Sequence, residues 1–335
     1  MLRFAFVILA SVVLVSPINA ADPVPLTVVS FSAPDSAHGR RWVAFEKEIE
    51  KDLGDRVELA MLTGGQVGNE DNMLSSLRRG RAQMGIISIG ALSALVPELS
   101  VLSAPFLFES EAEADFVMDE VLFEPYARLL AKRGLALVKW EDGGWHNIYA
   151  RQPLTTPNDL RNYSLRSSAT DATRLFLSAF GADVVVLDFG DIVSSLETGM
   201  VDGGVTTSVM YRVTGLYENA PHYTLTRHAF SPGALVANKS WTEDTPPDVL
   251  ALIFEAHGTA DGGRKVVRAE LEQSEAFLKT EGVIMHELSP DQRRRWTEEI
   301  APVTEELIAT IGGDAQRIYD LALEGKRQFA LTERR

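Results

Sequence analysis

Apolar and polar residues alternate along the chain in a readable order. Leu26 to Phe31 carries Leu, Val, Val and Phe behind Pro25, a β-rich run that reads as a strand. Pro34-Asp35-Ser36 gives a turn and a helix cap. Trp42, Phe45 and Ile49 then recur at helical spacing, with Glu46, Lys47, Glu48 and Lys51 between them. Val57 to Leu62 reads as a second strand, ended by Gly64-Gly65. Asn69 to Arg79 reads as a second helix with Met73, Leu74 and Leu77 on one side, stopped by Gly80. Met84 to Ile89 is a third apolar strand. Strand, helix, strand, helix, strand at this spacing predicts a right-handed parallel α/β sheet.

The pattern continues with a helical stretch from Glu111 to about Lys132 and a strand from Leu135 to Trp140. Leu165, Val184 to Leu187 and Gly233 to Ala237 are further strand candidates, while Leu175 to Phe180 and Ile192 to Leu196 read as helix. From Pro246 onward almost everything reads as helix: Val249 to Ala256, Val266 to Leu278, Asp291 to Ile311 and Ala315 to Phe329. No Gly/Ser-rich linker divides the chain and no repeat is evident. Two domains would therefore need the chain to cross between them more than once. Sheets of this kind bind ligands at the carboxyl ends of their strands, and two-domain proteins bind them between domains.

The first residues follow another logic. Met1 to Arg3 is a short positive start, Phe4 to Val15 is apolar apart from Ser11, and Ser16 to Ala20 is a small-residue exit. This is the layout of a secretory signal peptide over residues 1–20, cleaved after Ala20 or Ala21. No Cys stands at the exit, so no lipoprotein anchor is expected. No later run reaches ~18 apolar residues, so the mature chain is expected to be exported and soluble.

Composition narrows the chemistry. The chain has 335 residues, with 32 Lys plus Arg against 47 Asp plus Glu and a net charge of -15. Without a basic tract, such a chain is a poor nucleic-acid binder. With 0 Cys, disulfides, thiolate metal sites and a Cys nucleophile are excluded. His38, His146, His222, His228, His257 and His286 form no metal-ligand pattern, and Gly-x-Ser-x-Gly is absent. Gly64-Gly65-Gln66-Val67-Gly68 fits neither phosphate-loop nor dinucleotide spacing and reads as a strand-to-helix turn. Asp188 and Asp191 could pair as carboxylates, but Asp191 reads more simply as an early-turn residue favoured by a helix dipole. Arg166 closes the short strand around Leu165 and is followed by Ser167 and Ser168. Its planar fork suits bidentate carboxylate capture, with hydroxyl or backbone N–H groups completing the shell; an ordinary surface arginine is the alternative.

Several pieces together resemble the solute-binding subunits of TRAP transporters, the tripartite ATP-independent periplasmic carriers, from about Thr27 to at least Glu255. Gly64-Gly65-Gln66-Val67-Gly68-Asn69-Glu70 is similar to that family's glycine turn, and Pro105-Phe106-Leu107-Phe108 to its Pro-Phe-Leu-Phe. Pro153-Leu154 through Asp159-Leu160 to Leu165-Arg166 resembles the segment carrying its signature arginine. Gly181-Ala182 and Phe189-Gly190-Asp191 precede Leu196-Glu197-Thr198-Gly199-Met200-Val201-Asp202-Gly203, similar to Leu-Gln-x-Gly-x-Val-Asp-Gly. Leu216-Tyr217-Glu218 and His228 to Pro232 match two later stretches.

The resemblance implies a two-lobed α/β periplasmic solute-binding fold. Lobe I would comprise 22–143 plus 232–271, lobe II 144–231 plus 272–299, and 300–335 would be C-terminal helices packing across the lobes. It implies a ligand carboxylate paired with Arg166, an aromatic wall at Phe189, and ligand-binding roles for His146, Trp145, Thr206, Ser88 and Ser168. No catalytic residue, metal or cofactor is implied. The partners would be a small organic acid and integral-membrane TRAP permease subunits, in the periplasm. A monomer is expected, with a dimer as the alternative. Closure of the lobes over the ligand would create the docking surface for the permease.

The chain departs from the family where many members carry a second Arg, an Asn and a Tyr: His146, Thr206 and Val193 stand there. These losses predict a monocarboxylate, or a ligand with a less polar tail, over a C4-dicarboxylate or sialic acid. A ligand-facing His146 would change charge across ordinary periplasmic pH, and His228 reads as structural. A ligand-presenting sensor partner of the same fold is a second reading. An exported enzyme is a third, unsupported by any nucleophile–base pair.

Overall fold

A computed structural model describes residues 22–167, 171–187 and 189–333. Eleven strands lie among the described residues: β1 (Val24–Val29), β2 (Val57–Leu62), β3 (Met84–Ser88), β4 (Leu135–Glu141), β5 (Trp145–Ala150), β6 (Ser164–Ser167), β7 (Asp183–Val186), β8 (Gly203–Thr206), β9 (His222–Phe230), β10 (Gly233–Asn238) and β11 (Ile284–Glu287). They form two sheets, ordered β2-β1-β3-β10-β4 and β11-β9-β5-β8-β6-β7.

The first half of the first sheet follows the sequence pattern. Ser36 caps the helix Ala37–Asp52 by accepting from the Gly39 N–H, and Asn69 caps the helix Glu70–Arg78 through the Asn72 N–H. These helices carry the chain between β1, β2 and β3, which run parallel. The sheet as a whole is mixed, not parallel: β10 runs antiparallel to both β3 and β4. The reason is connectivity. β10 enters from the other sheet through Ser231-Pro232, without a helical crossover.

The second sheet departs further from the expectation. Its central strands β9, β5 and β8, with sequences HYTLTRHAF, WHNIYA and GGVT, interleave polar residues and glycine with apolar ones. β11 interrupts the helical C-terminal region between the helices Ala260–Thr280 and Pro290–Ile311.

Both sheets are covered on both faces. Leu26 and Val28 pack with Trp42, Phe45 and Leu235 on one side of the first sheet, while Val29 joins Leu77, Tyr126 and Trp140 on the other. Ile148, Leu165 and Val205 pack with Phe176 and Trp296, whereas Tyr149, Tyr211 and Tyr223 pack with Ile192 and Leu196 on the opposite face. The period-2 alternation of each strand assigns the faces. The helix Pro290–Ile311 touches both assemblies: Trp296 and Ile300 join the second sheet's core, Leu307 and Ile308 the first. The helix Ala315–Thr332 buries Ile318 and Ala322 in the first sheet's core. No helix among the described residues is long and apolar enough to cross a membrane.

Among the described residues, four segments join the sheets. Gly143-Gly144 leads from β4 to β5, Ser231-Pro232 leads from β9 to β10, the helix Ala260–Thr280 runs past both, and the helix Pro290–Ile311 returns from the second core to the first. The Ser231 N–H donates to the Gly144 carbonyl at 2.9 Å. Gly144 has φ +83°, and a Cβ there would fall 2.8 Å from a Leu271 methyl of that helix.

Candidate ligand site

The crossing segments fix where a ligand can sit. Ser88, the last residue of β3, pairs with Gly233, the first of β10, and Gly233 also pairs with Glu141, the last of β4. The carboxyl end of β3 therefore points at the crossing. In the second sheet Trp145 opens β5 opposite Phe230, Asn147 pairs with Thr206 at the end of β8, and Arg166 pairs with Gly204. The carboxyl ends of β6 and β8 point at the same crossing from the other side. Two sets of strand ends facing a shared hinge define a cleft, the ordinary ligand position in open α/β sheets.

Arg166 lies on the second bank. It is 8% exposed, so the surface alternative does not hold. Its Nε and Nη2 donate to the Leu187 carbonyl at 3.2 and 3.0 Å. This contact fixes the plane of the guanidinium before any ligand arrives, which is what bidentate recognition requires. Gly204 and Tyr149 follow on the neighbouring strands in register.

His146 is half-buried. Burial, and after it the nearby positive charge of Arg166, push its pKa down to about 4. The imidazole is neutral at ordinary periplasmic pH, which corrects the expectation of a charge that varies there. His228 lies beside it, with ring centroids 6.4 Å apart. It is buried and firmly held: Thr226 Oγ1 is 2.7 Å from its Nδ1, the Phe176 ring lies parallel at 4.1 Å, and its carbonyl accepts the Phe106 N–H at 2.7 Å. Burial, then His146, holds its pKa well below the usual histidine range. The pairing of β5 with β9 jumps from His146↔Ala229 to Ile148↔Thr224. The resulting bulge places Arg227 at φ 44°, with its N–H donating to Asn147 Oδ1 at 2.9 Å.

The other named residues divide. Thr206 is buried at the end of β8, and its carbonyl accepts from the Tyr223 hydroxyl at 3.2 Å. Trp145 turns toward the core, its ring 5.0 Å from that of Phe230. Ser88 lies on the first bank. Its N–H and its hydroxyl both donate to Glu70, each at 2.7 Å, and its Oγ accepts the Ala91 N–H at 3.2 Å. Phe189 opens a short 3-10 turn to Asp191, and Ser168 lies outside the described residues. Asp191 occupies the N-cap position of the helix Ile192–Glu197, one residue before its first turn, and makes no capping side-chain bond. Glu70 ends the segment that resembles the family's glycine turn and is an acid in the first turn of the helix that follows; neither signal marks it as a partner of Ser88. No cluster of three His, Asp or Glu that could hold a metal occurs among the described residues.

Strand ends of two sheets that meet at one crossing, with a buried and oriented arginine on one bank, suit the binding of a solute. The family model of the bacterial extracellular solute-binding proteins, family 7 (DctP), matches residues 28–310, and the chain belongs to that family. Its members are substrate-binding proteins of TRAP transporters, not enzymes. The chain is 27% identical over 298 residues to the C4-dicarboxylate-binding periplasmic protein DctP of Rhodobacter capsulatus, covering 88% of this chain and 89% of that one. It is 25% identical over 283 residues to the ectoine-binding periplasmic protein TeaA of Halomonas elongata, covering 83% and 82%. Among solved structures it is similar to the sugar acid binding protein of Advenella mimigardefordensis in complex with galactonate. There the TM-score is 0.82 at 25% identity over 91% of this chain and 100% of that one. A TRAP periplasmic solute-binding protein of Ochrobactrum anthropi shares the fold with TM-score 0.84 at 24% identity, over 91% and 95%.

Proposed function

We propose that this protein captures a small organic carboxylate in the cleft, pairs it with Arg166, and delivers it to a TRAP-type membrane permease. The observation that carries this reading is the buried, pre-oriented guanidinium at the carboxyl end of β6. The named relatives bind C4-dicarboxylate, ectoine and galactonate. In this reading residues 1–20 direct export to the periplasm. Lobe I is 22–143 plus 232–271, lobe II is 144–231 plus 272–299, and 300–335 form helices across them. His146, Thr206 and Ser88 line the closed site, and Phe189 and Ser168 are assigned to it by the family resemblance alone. The lobes hinge about Gly143-Gly144 and Ser231-Pro232, and burial of the ion pair removes water and strengthens it. With His146 neutral, Arg166 supplies the site's positive charge, which favours a monocarboxylate.

A thermal-shift screen against small organic acids, with Arg166→Ala alongside, tests this. Ligand at ~100 times its dissociation constant adds about 2.7 kcal/mol to the native state. The expected result is a rise in Tm with one class of acid that the variant loses. A folded protein that no acid stabilises, or a shift that survives in Arg166→Ala, overturns the reading.

A further inference from the structure

The bank opposite Arg166 carries a carboxylate of its own. Asn69 already caps the helix Glu70–Arg78, so the Glu70 side chain is not needed there and instead reaches the end of β3. Oε1 accepts the Ser88 N–H and Oε2 accepts the Ser88 hydroxyl, both at 2.7 Å. Ser88 opens the short helix Ile89–Ser93. Its N–H and O–H are two donors that would otherwise be offered to an anion at this end of the cleft. Glu70 consumes both, so an internal carboxylate already takes the donors that a second ligand carboxylate would need. Each of its oxygens retains a second lone pair. On the facing wall His146 and His228 add no charge to offset it, since burial holds both neutral, and Arg166 is the cation that the ligand's first carboxylate engages.

We infer that Glu70 selects the far end of the ligand. The molecule bound is a carboxylate whose other end is a hydrogen-bond donor, such as a hydroxyl, amide or ammonium, and not a second carboxylate. This rests on the reading of Arg166 given above. The donor end bonds Glu70 as the lobes close. A second carboxylate there meets like charge at short range with no donor left to compensate.

The test is a matched series measured by titration calorimetry on the purified protein: linear dicarboxylates of three to six carbons, and for each the monocarboxylates bearing a terminal hydroxyl or amine. The donor-ended acids are expected to bind at least tenfold more tightly than their dicarboxylate counterparts. Glu70→Gln, nearly isosteric, is expected to narrow that ratio below threefold, chiefly by gaining dicarboxylate affinity. Ser88→Ala leaves the charge in place and is expected to keep the preference. Acids that bind without the preference, or a ratio unchanged in Glu70→Gln, overturn this inference and leave the Arg166 reading standing. Failure of every member to bind the wild type overturns both.

Discussion

The Tyr149 hydroxyl lies directly over Gly204: a Cβ at position 204 would fall 2.5 Å from the phenolic oxygen and 3.0 Å from the Arg166 carbonyl. The three residues stand in register on β5, β8 and β6. Glycine at 204 is what lets the Tyr149 ring reach across β8 toward the strand that carries Arg166. The ring is wholly buried and stacks on Tyr211 at 5.7 Å, so it has no room to retreat. Gly204→Ala should cost roughly 1–3 kcal/mol through overpacking, visible as a lower Tm by calorimetry. Adding Tyr149→Phe should restore part of it, because the nearest clashing atom is the hydroxyl. An unchanged Tm in Gly204→Ala would contradict the packing described.

Gly144 illustrates two separate demands on one residue. Its φ of +83° disfavours any side chain, and Leu271 occupies the space a Cβ would need. Gly144→Ala should therefore destabilise by more than the backbone strain alone, about 1–3 kcal/mol for strain with the clash added. Leu271→Ala should relieve the clash and leave the strain. A double-mutant cycle by chemical denaturation should show a coupling of about 0.5 kcal/mol or more, and additivity would argue against this contact at the hinge.

Arg268 fastens the spanning helix to the first crossing. Its Nε lies 2.8 Å from the Asp142 carboxylate, whose side chain is 0% exposed, and its Nη2 lies 2.8 Å from Asp115. These carboxylates hold its pKa above the usual arginine value despite its burial. Arg268→Ala leaves a buried charge uncompensated and should cost about 3–5 kcal/mol. Asp115→Asn removes a more exposed partner and should cost well under half of that. Comparable losses in the two variants would refute this ranking.

The buried histidines set the pH response. His146 has a folded pKa of about 4, below the ordinary 6.5 of an unfolded chain. Between those values the unfolded chain binds more protons. Stability is therefore lost as pH falls from 6.5 toward 4, by at most about 3 kcal/mol for this residue. His257, pushed down to about 2 by burial, extends the loss to lower pH. His146→Gln should flatten the slope of unfolding free energy above pH 4. Affinity for an ionised acid should stay flat from pH 8 to 6, since the imidazole is uncharged throughout. A steep affinity change there would show that His146 titrates in the bound state.

Much of the first sheet was legible because its elements are locally amphipathic. Val57–Leu62 stands where the pattern places it, and Ser36 and Asn69 cap the helices they announce. β5, β8 and β9 were missed for a physical reason. A strand such as WHNIYA carries Asn147 and His146 inward to bulge and cleft contacts, so neither face reads as purely apolar. The antiparallel entry of β10 was equally invisible, because it is set by pairing with β3 and β4, strands remote from it in sequence.

The sequence by itself determined the acidic, cysteine-free character of the chain, the α/β class, the family resemblance, and Arg166 as the residue to test. Those properties are carried by residue types and short spacings. Only the tertiary structure decided that Arg166 is buried and oriented by the Leu187 carbonyl. The same holds for the neutral state of His146, for Ser88 spending both its donors on Glu70, and for Gly204 being needed under Tyr149. Burial, charge state and donor occupancy are set by neighbours remote in sequence, and those neighbours meet only when the two sheets are assembled across their shared hinge.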